Sequence, residues 1–132
     1  MHTDHEISIQ ERLFVTTISG HLDLAELELE QRAEWQKLGT YRYNRLIDMR
    51  QAEVDRLLNA DVIEYAIMPR MPIPPLCLAI VVDTDAQRIL AQTYTAARYF
   101  TGHYTPNKVF DQLYEALAWI KEQDSWSTRR PL

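Results

Sequence analysis

The order of apolar patterns predicts an α/β fold, in which an opening β-hairpin is followed by βα units. These build a mainly parallel sheet of about five strands with about four helices. Three observations carry this. Ile7 and Ile9, then Phe14, Thr16 and Ile18, alternate with polar neighbours, the period of half-buried strands. From Asp23 onward, short apolar runs alternate with stretches of helical period. The run Leu76 to Val82 is apolar at nearly every position, as a strand covered on both faces requires. Strands separated by helices call for right-handed crossovers, hence a parallel sheet.

The polar Gln10-Glu11-Arg12 is short, so strands over 6–10 and 13–19 pair as a hairpin that Gly20-His21-Leu22-Asp23 ends. A helix over 23–38 opens at Asp23, with Glu26 three residues on forming a capping box. Leu24, Leu27, Trp35 and Leu38 keep one face apolar, and Gly39 stops the helix. Asn44 to Met49 is a short strand. Val54, Leu57, Leu58, Val62 and Ala66 then share one side of a helix over 53–67, which Pro69 ends. Met68 to Pro75 holds four of the six prolines, a stiff connector that cannot be helical. After the strand Leu76–Val82, Asp83-Thr84-Asp85 caps a helix over 85–101. Its inward side is Ile89, Leu90, Thr93, Ala96, Ala97 and Phe100, and Gly102 is its stop. Lys108-Val109-Phe110 is a last short strand. Asp111 then caps a helix over 112–122, with Leu113, Ala116, Leu117 and Ile120 on one face. A single domain over 1–124 is expected, with a loose tail over 125–132.

At 132 residues the chain is long enough to bury a real core without staples. Gly20, Gly39 and Gly102 lie far apart, which excludes a glycine-rich phosphate loop and a hydrolase nucleophile elbow. The formal net charge is -5 and no basic cluster appears, so nucleic acid is not an expected partner. The longest apolar run falls far short of a membrane span, and the polar start is unlike a signal peptide, so a cytoplasmic protein is expected. Cys77 lies in the most apolar run and reads as an inert core thiol.

The strand ending in Leu46-Ile47-Asp48 and the run Ala79-Ile80-Val81-Val82-Asp83, in this order of elements, resemble the STAS domain. That superfamily is also called SpoIIAA-like, after a bacterial anti-sigma-factor antagonist. Ala97-Arg98-Tyr99-Phe100 and the closing stretch from Val109 to Ile120, with Glu115-Ala116-Leu117-Ala118-Trp119-Ile120, are similar to a bacterial branch of it. The resemblance spans about Glu6 to Ile120. It implies sequentially ordered strands wound as a βα superhelix, the first strand antiparallel. It also implies a non-catalytic regulatory or protein-interaction module, self-associating as a homodimer. The phospho-acceptor serine of the antagonists has no counterpart, because no Ser or Thr occurs between Thr40 and Thr84. The serine phospho-switch is therefore not expected. Lipid-transfer CRAL-TRIO proteins are similar in fold to this branch, which makes a small-molecule or lipid-binding module the alternative.

Two sets of residues are candidate sites. Asp23, Asp48, Asp83, Asp85 and Asp111 fall just beyond predicted strands, where open parallel sheets bind ligands. With Gly20, His21, Arg50 and Thr84 they form a candidate ligand edge. Oxygen ligands of this kind suit Mg²⁺ or Ca²⁺, the basis of a third reading as a divalent-metal enzyme, although the same aspartates serve as plain helix caps. The four histidines show no metal spacing, and no metal site, catalytic residue or cofactor is assigned. The second set is a candidate interaction surface: Met68, Arg70, Met71 and Ile73 on the proline connector, and Tyr94, Tyr99 and Tyr104 on and after the third helix.

Overall fold

The computed structural model describes residues 1–38, 42–68 and 75–129, with side chains through Asp124. The opening alternation forms β1 (His2–Ser8) and β2 (Leu13–His21), paired antiparallel. The chain reverses over Ile9 to Arg12. Arg12 takes φ 50°, and its N–H donates to the Ile9 carbonyl at 3.2 Å. Ile9, expected in a strand over 6–10, is therefore turned outward and 78% exposed. β1 instead begins at His2, because its partner β2 offers ladder positions through Ser19.

Helix α1 (Leu24–Leu38) starts at the expected cap, where the Asp23 carboxylate accepts the Glu26 N–H at 3.1 Å. Gly39, its expected stop, lies outside the described residues. β3 (Asn44–Glu53) is longer than its apolar run, and α2 (Asn59–Ile67) correspondingly shorter than 53–67. The pairs Thr17–Asp48 and Ser19–Gln51 place one extra residue on β3, a bulge, after which pairing continues to His21–Glu53. Ladder bonds to β2 thus outweigh the helical spacing of Val54, Leu57 and Leu58. β4 (Leu78–Val81) is the centre of the run 76–82.

Helix α3 (Asp85–Phe100) is capped by Thr84 in a full capping box with Gln87. It ends where Gly102, at φ 90°, directs its N–H to the Tyr99 carbonyl and the His103 N–H to that of Arg98. Its inward face is the expected one only in part: Leu90 packs against the core, but Ile89 and Phe100 are 56% and 86% exposed, and Ala96 is also exposed. Gln87 and Ala91 are its fully buried residues. Gln87 sets this rotation, since Nε2 donates to the carbonyls of Arg50 (3.2 Å) and Ala52 (2.9 Å) at the end of β3.

β5 (Asn107–Phe110) leads to α4 (Leu113–Arg129). The first turn of α4 closes on the Gln112 carbonyl, while the Asp111 carboxylate, expected to cap it, pairs with Arg88 of α3. α4 continues to Arg129, past the expected end at 122. The stretch from 125, expected to be loose, is thus helical as far as Arg129, and 130–132 lie outside the described residues.

The strand order is β1-β2-β3-β4-β5, with every pair after the hairpin parallel. Each right-handed crossover steps one strand in the same direction, so α1, α2 and α3 share one face. There Leu27 of α1 and Ala91 of α3 pack with Ile18, Met49 and Ile80, and Tyr65 of α2 closes on the same cluster. On the opposite face α4 places Ala116 and Ile120 against Leu46, Ala79, Val81 and Phe110. Fully buried side chains of this kind contribute roughly 1.5–3 kcal/mol each. Among the described residues no helix is long and apolar enough to cross a membrane.

Candidate functional site

The strand-end edge is largely engaged by its own neighbours. Asp48 holds Arg50 two residues on, with Nε to Oδ1 at 2.9 Å and Nη2 to Oδ2 at 2.8 Å, and also accepts the Arg50 N–H at 3.1 Å. That fork raises the Arg50 guanidinium above its ordinary value, first through the hydrogen bonds to Asp48. Asp23 and Thr84 are occupied as caps, and Asp111 by Arg88. Asp83 and Asp85 stand exposed. Gly20 bends the end of β2 at φ 77°.

No three of the five aspartates converge at metal-binding distance among the described residues. The carboxylates that do gather are Glu53 and Asp55, with His21, their ligand atoms all within 4.8 Å of one another. His21 Nδ1 lies 3.0 Å from Glu53 and 4.0 Å from Asp55. All three side chains are exposed. Glu53 was hidden from sequence reasoning because it reads as helix, whereas the extended β3 places it in register with His21.

The largest departure from the expected edge lies beneath the three helices. A cavity of about 50 Å³ sits between the sheet and α1–α3, walled by Ile18, Leu22, Leu27, Met49, Val62, Ile80 and Ala91. It shares Leu24 and Tyr65 with an open groove of about 430 Å³ between α1 and α2. At its other end it shares Gln31, Ile47 and Tyr94 with a smaller cavity of about 40 Å³. The three spaces therefore abut in a line, from the surface between two helices to the strand starts.

The inner end is polar. Its walls include Gln31, Arg45, Tyr94, Arg98 and Thr105, and no carboxylate. Arg45 is 3% exposed, on the same face of β3 as Ile47. Nη1 donates to the carbonyls of Phe14 (3.3 Å) and Leu46 (3.2 Å), and the guanidinium carbon lies 4.0 Å from the centre of the Phe14 ring. Nη2 is buried and has no hydrogen-bond partner, and among the described residues no carboxylate pairs with the group. Burial pulls its pKa down to about 10, against weaker upward pulls from Tyr65, Tyr94 and Glu34, so it stays cationic at neutral pH. Burying an ion without a counter-charge costs several kcal/mol. The aromatic face returns at most about 2 kcal/mol. Sequence reasoning passed over Arg45 as part of a strand. The available signal was period two, which puts it on the inward side with Ile47.

A half-buried and a buried group complete the picture. His5 Nδ1 sits 2.8 Å from Thr16 Oγ1, and Nε2 lies 3.7 Å from Glu30. Burial and then the Arg45 charge lower the imidazole below 6.5, Glu34 and Glu30 pulling the other way. On the α4 face, burial pushes the Cys77 thiol up to about 11, in keeping with an inert core cysteine.

The candidate interaction surface divides. Tyr94 is half-buried and lines the cavities, its ring 5.9 Å from that of Tyr65. Tyr99 and Tyr104 are exposed, with ring centroids 5.1 Å apart, and Phe100 lies 6.1 Å from Tyr99. Met68 is exposed beside the α1–α2 groove. Arg70, Met71 and Ile73 lie outside the described residues. Comparison with protein-family models, with curated proteins and with solved structures finds no match for this chain.

Proposed function

We propose that this domain is a non-catalytic binding module of STAS-like build, and that its ligand is a small, largely apolar molecule held between the sheet and α1–α3. The observation that carries this is the row of neighbouring spaces with shared wall residues: a surface groove, an apolar cavity and a polar inner end. Well-formed apolar pockets with a few converging polar groups are the usual shape of small-molecule sites. The engagement of Asp23, Asp48 and Asp111 by their own neighbours and the raised thiol of Cys77 support binding over catalysis. A free thiol and the absence of a spanning helix among the described residues fit a cytoplasmic setting.

The test is saturable binding of the neutral dye N-phenylnaphthylamine, followed by its fluorescence. Ala91 is 1% exposed and walls the cavity, so Ala91→Leu fills the space. We expect the variant to keep or gain stability and to lose the dye. A wild-type protein with no saturable binding, or equal binding by Ala91→Leu, contradicts the reading.

A second reading keeps the interaction role. Phe100, Tyr99 and Tyr104 form an exposed aromatic patch at the end of α3, the composition that interfaces favour. Self-association through it predicts a dimer in sedimentation velocity that Phe100→Glu dissociates. A monomeric wild type at working concentrations removes this reading.

A further inference from the structure

Given the chamber proposed above, we infer that its ligand is an anionic amphiphile, whose carboxylate is held by Arg45 and whose hydrocarbon tail lies along the cavity between the sheet and α1–α3. The polar inner end is where the charge belongs. Two guanidinium groups, Arg45 and Arg98, wall a space with no Asp or Glu among its described lining residues, in a chain whose formal net charge is -5. Arg98 Nη1 is committed to the Ala66 carbonyl at 3.1 Å. Arg45 is not fully committed: Nη2 is a buried donor with no acceptor among the described residues. A donor left in that state costs stability, so it is the group a ligand oxygen repairs. Water alone supplies an acceptor but no charge, whereas a carboxylate supplies both, in the planar geometry that a guanidinium fork matches.

The tail follows from the adjoining wall. From Arg45 to Met49 the strand advances four residues, roughly 13 Å at about 3.3 Å per residue. Ile47 and Met49 line that path, and the shared residues Leu24 and Tyr65 lead out into the α1–α2 groove. A head at Arg45 and a chain of medium length therefore span the inner space and exit where the surface is open. A small free anion uses only the head site, and a neutral apolar molecule only the wall.

Calorimetry with octanoate, octanol and acetate separates these cases, using the full chain and Arg45→Met. Octanoate is expected to bind the wild type roughly 10- to 100-fold more tightly than octanol, the worth of a hydrogen bond to a charged group. Arg45→Met is expected to erase that advantage and leave octanol affinity unchanged. Equal affinities of octanoate and octanol for the wild type, or an equal loss of both in the variant, overturn the carboxylate assignment and leave the chamber standing. Acetate binding as tightly as octanoate overturns the amphiphile. If neither octanoate nor octanol binds, the chamber reading falls, and this one with it. Should near-ultraviolet dichroism show that Arg45→Met does not fold, the wild type decides by ¹³C resonance of carboxyl-labelled octanoate. A bound carboxyl that titrates below the free acid supports the Arg45 contact, and one that titrates at or above it contradicts the contact.

Discussion

Asn44 and Arg45 are consecutive in β3, and period two sends them to opposite faces of one sheet. On the α4 face, Asn44 Nδ2 donates to Asp124 at 3.2 Å, Asn44 Oδ1 accepts the Cys77 thiol at 3.3 Å, and Arg12 closes the group by pairing with Asp124. On the other face, Arg45 has two long carbonyl contacts, an aromatic ring and an unanswered Nη2. The first polar group is complete within the protein. The second keeps one donor unanswered among the described residues. That difference is what the proposed ligand site on the Arg45 face rests on.

Mutations at the two positions should pull apart most strongly. Asn44→Ala leaves the buried Cys77 thiol without its acceptor and takes one donor from Asp124, which keeps Arg12, a loss of roughly 1–3 kcal/mol in urea unfolding. Arg45→Met replaces an unpaired buried ion with an apolar chain of similar length, so stability should hold or rise, by up to about 1–4 kcal/mol. Equal destabilisation by both would mean that Arg45 is a structural strut, and the contrast between the faces would dissolve.

A smaller effect sharpens the same comparison. His5 lies beside Arg45 on the face that α1–α3 cover, and its folded pKa lies below 6.5 while the unfolded value does not. The unfolded state therefore binds the proton first as pH falls. Stability contributed above 6.5 is lost on acidification through the lowered folded value. Unfolding measured across that window should show a slope that His5→Asn removes. An unchanged slope in His5→Asn would assign the acid sensitivity elsewhere. Ligand bound at Arg45 should ease the protonation of His5, because the Arg45 charge is one of the two causes that depress it.

Much of the fold was legible because patterns of two and near four are local. The hairpin, the alternation of strands and helices, the Asp23 cap and the Gly102 stop all depend on residues close in sequence. The errors arose where a distant partner decided. Residues 50–53 became strand because β2 offered ladder positions across a bulge. α3 turned Ile89 and Phe100 outward because Gln87 found carbonyls on β3. The acidic edge was legible as a set of positions, yet not as a site. Asp48 and Arg50 satisfy each other within one strand, and Asp111 finds Arg88 on another element. Arg45 was hidden for the opposite reason: among the described residues its Nη2 finds no partner, so no sequence pattern marks it.

Intermolecular nuclear Overhauser contacts from ¹³C-labelled octanoate place the ligand directly. The account predicts that the methyl end contacts Met49 or Leu24, and the carbons nearest the carboxylate contact Ile47 and Tyr94. Contacts to Leu13, Ala116 or Ile120, on the face that α4 covers, would contradict it.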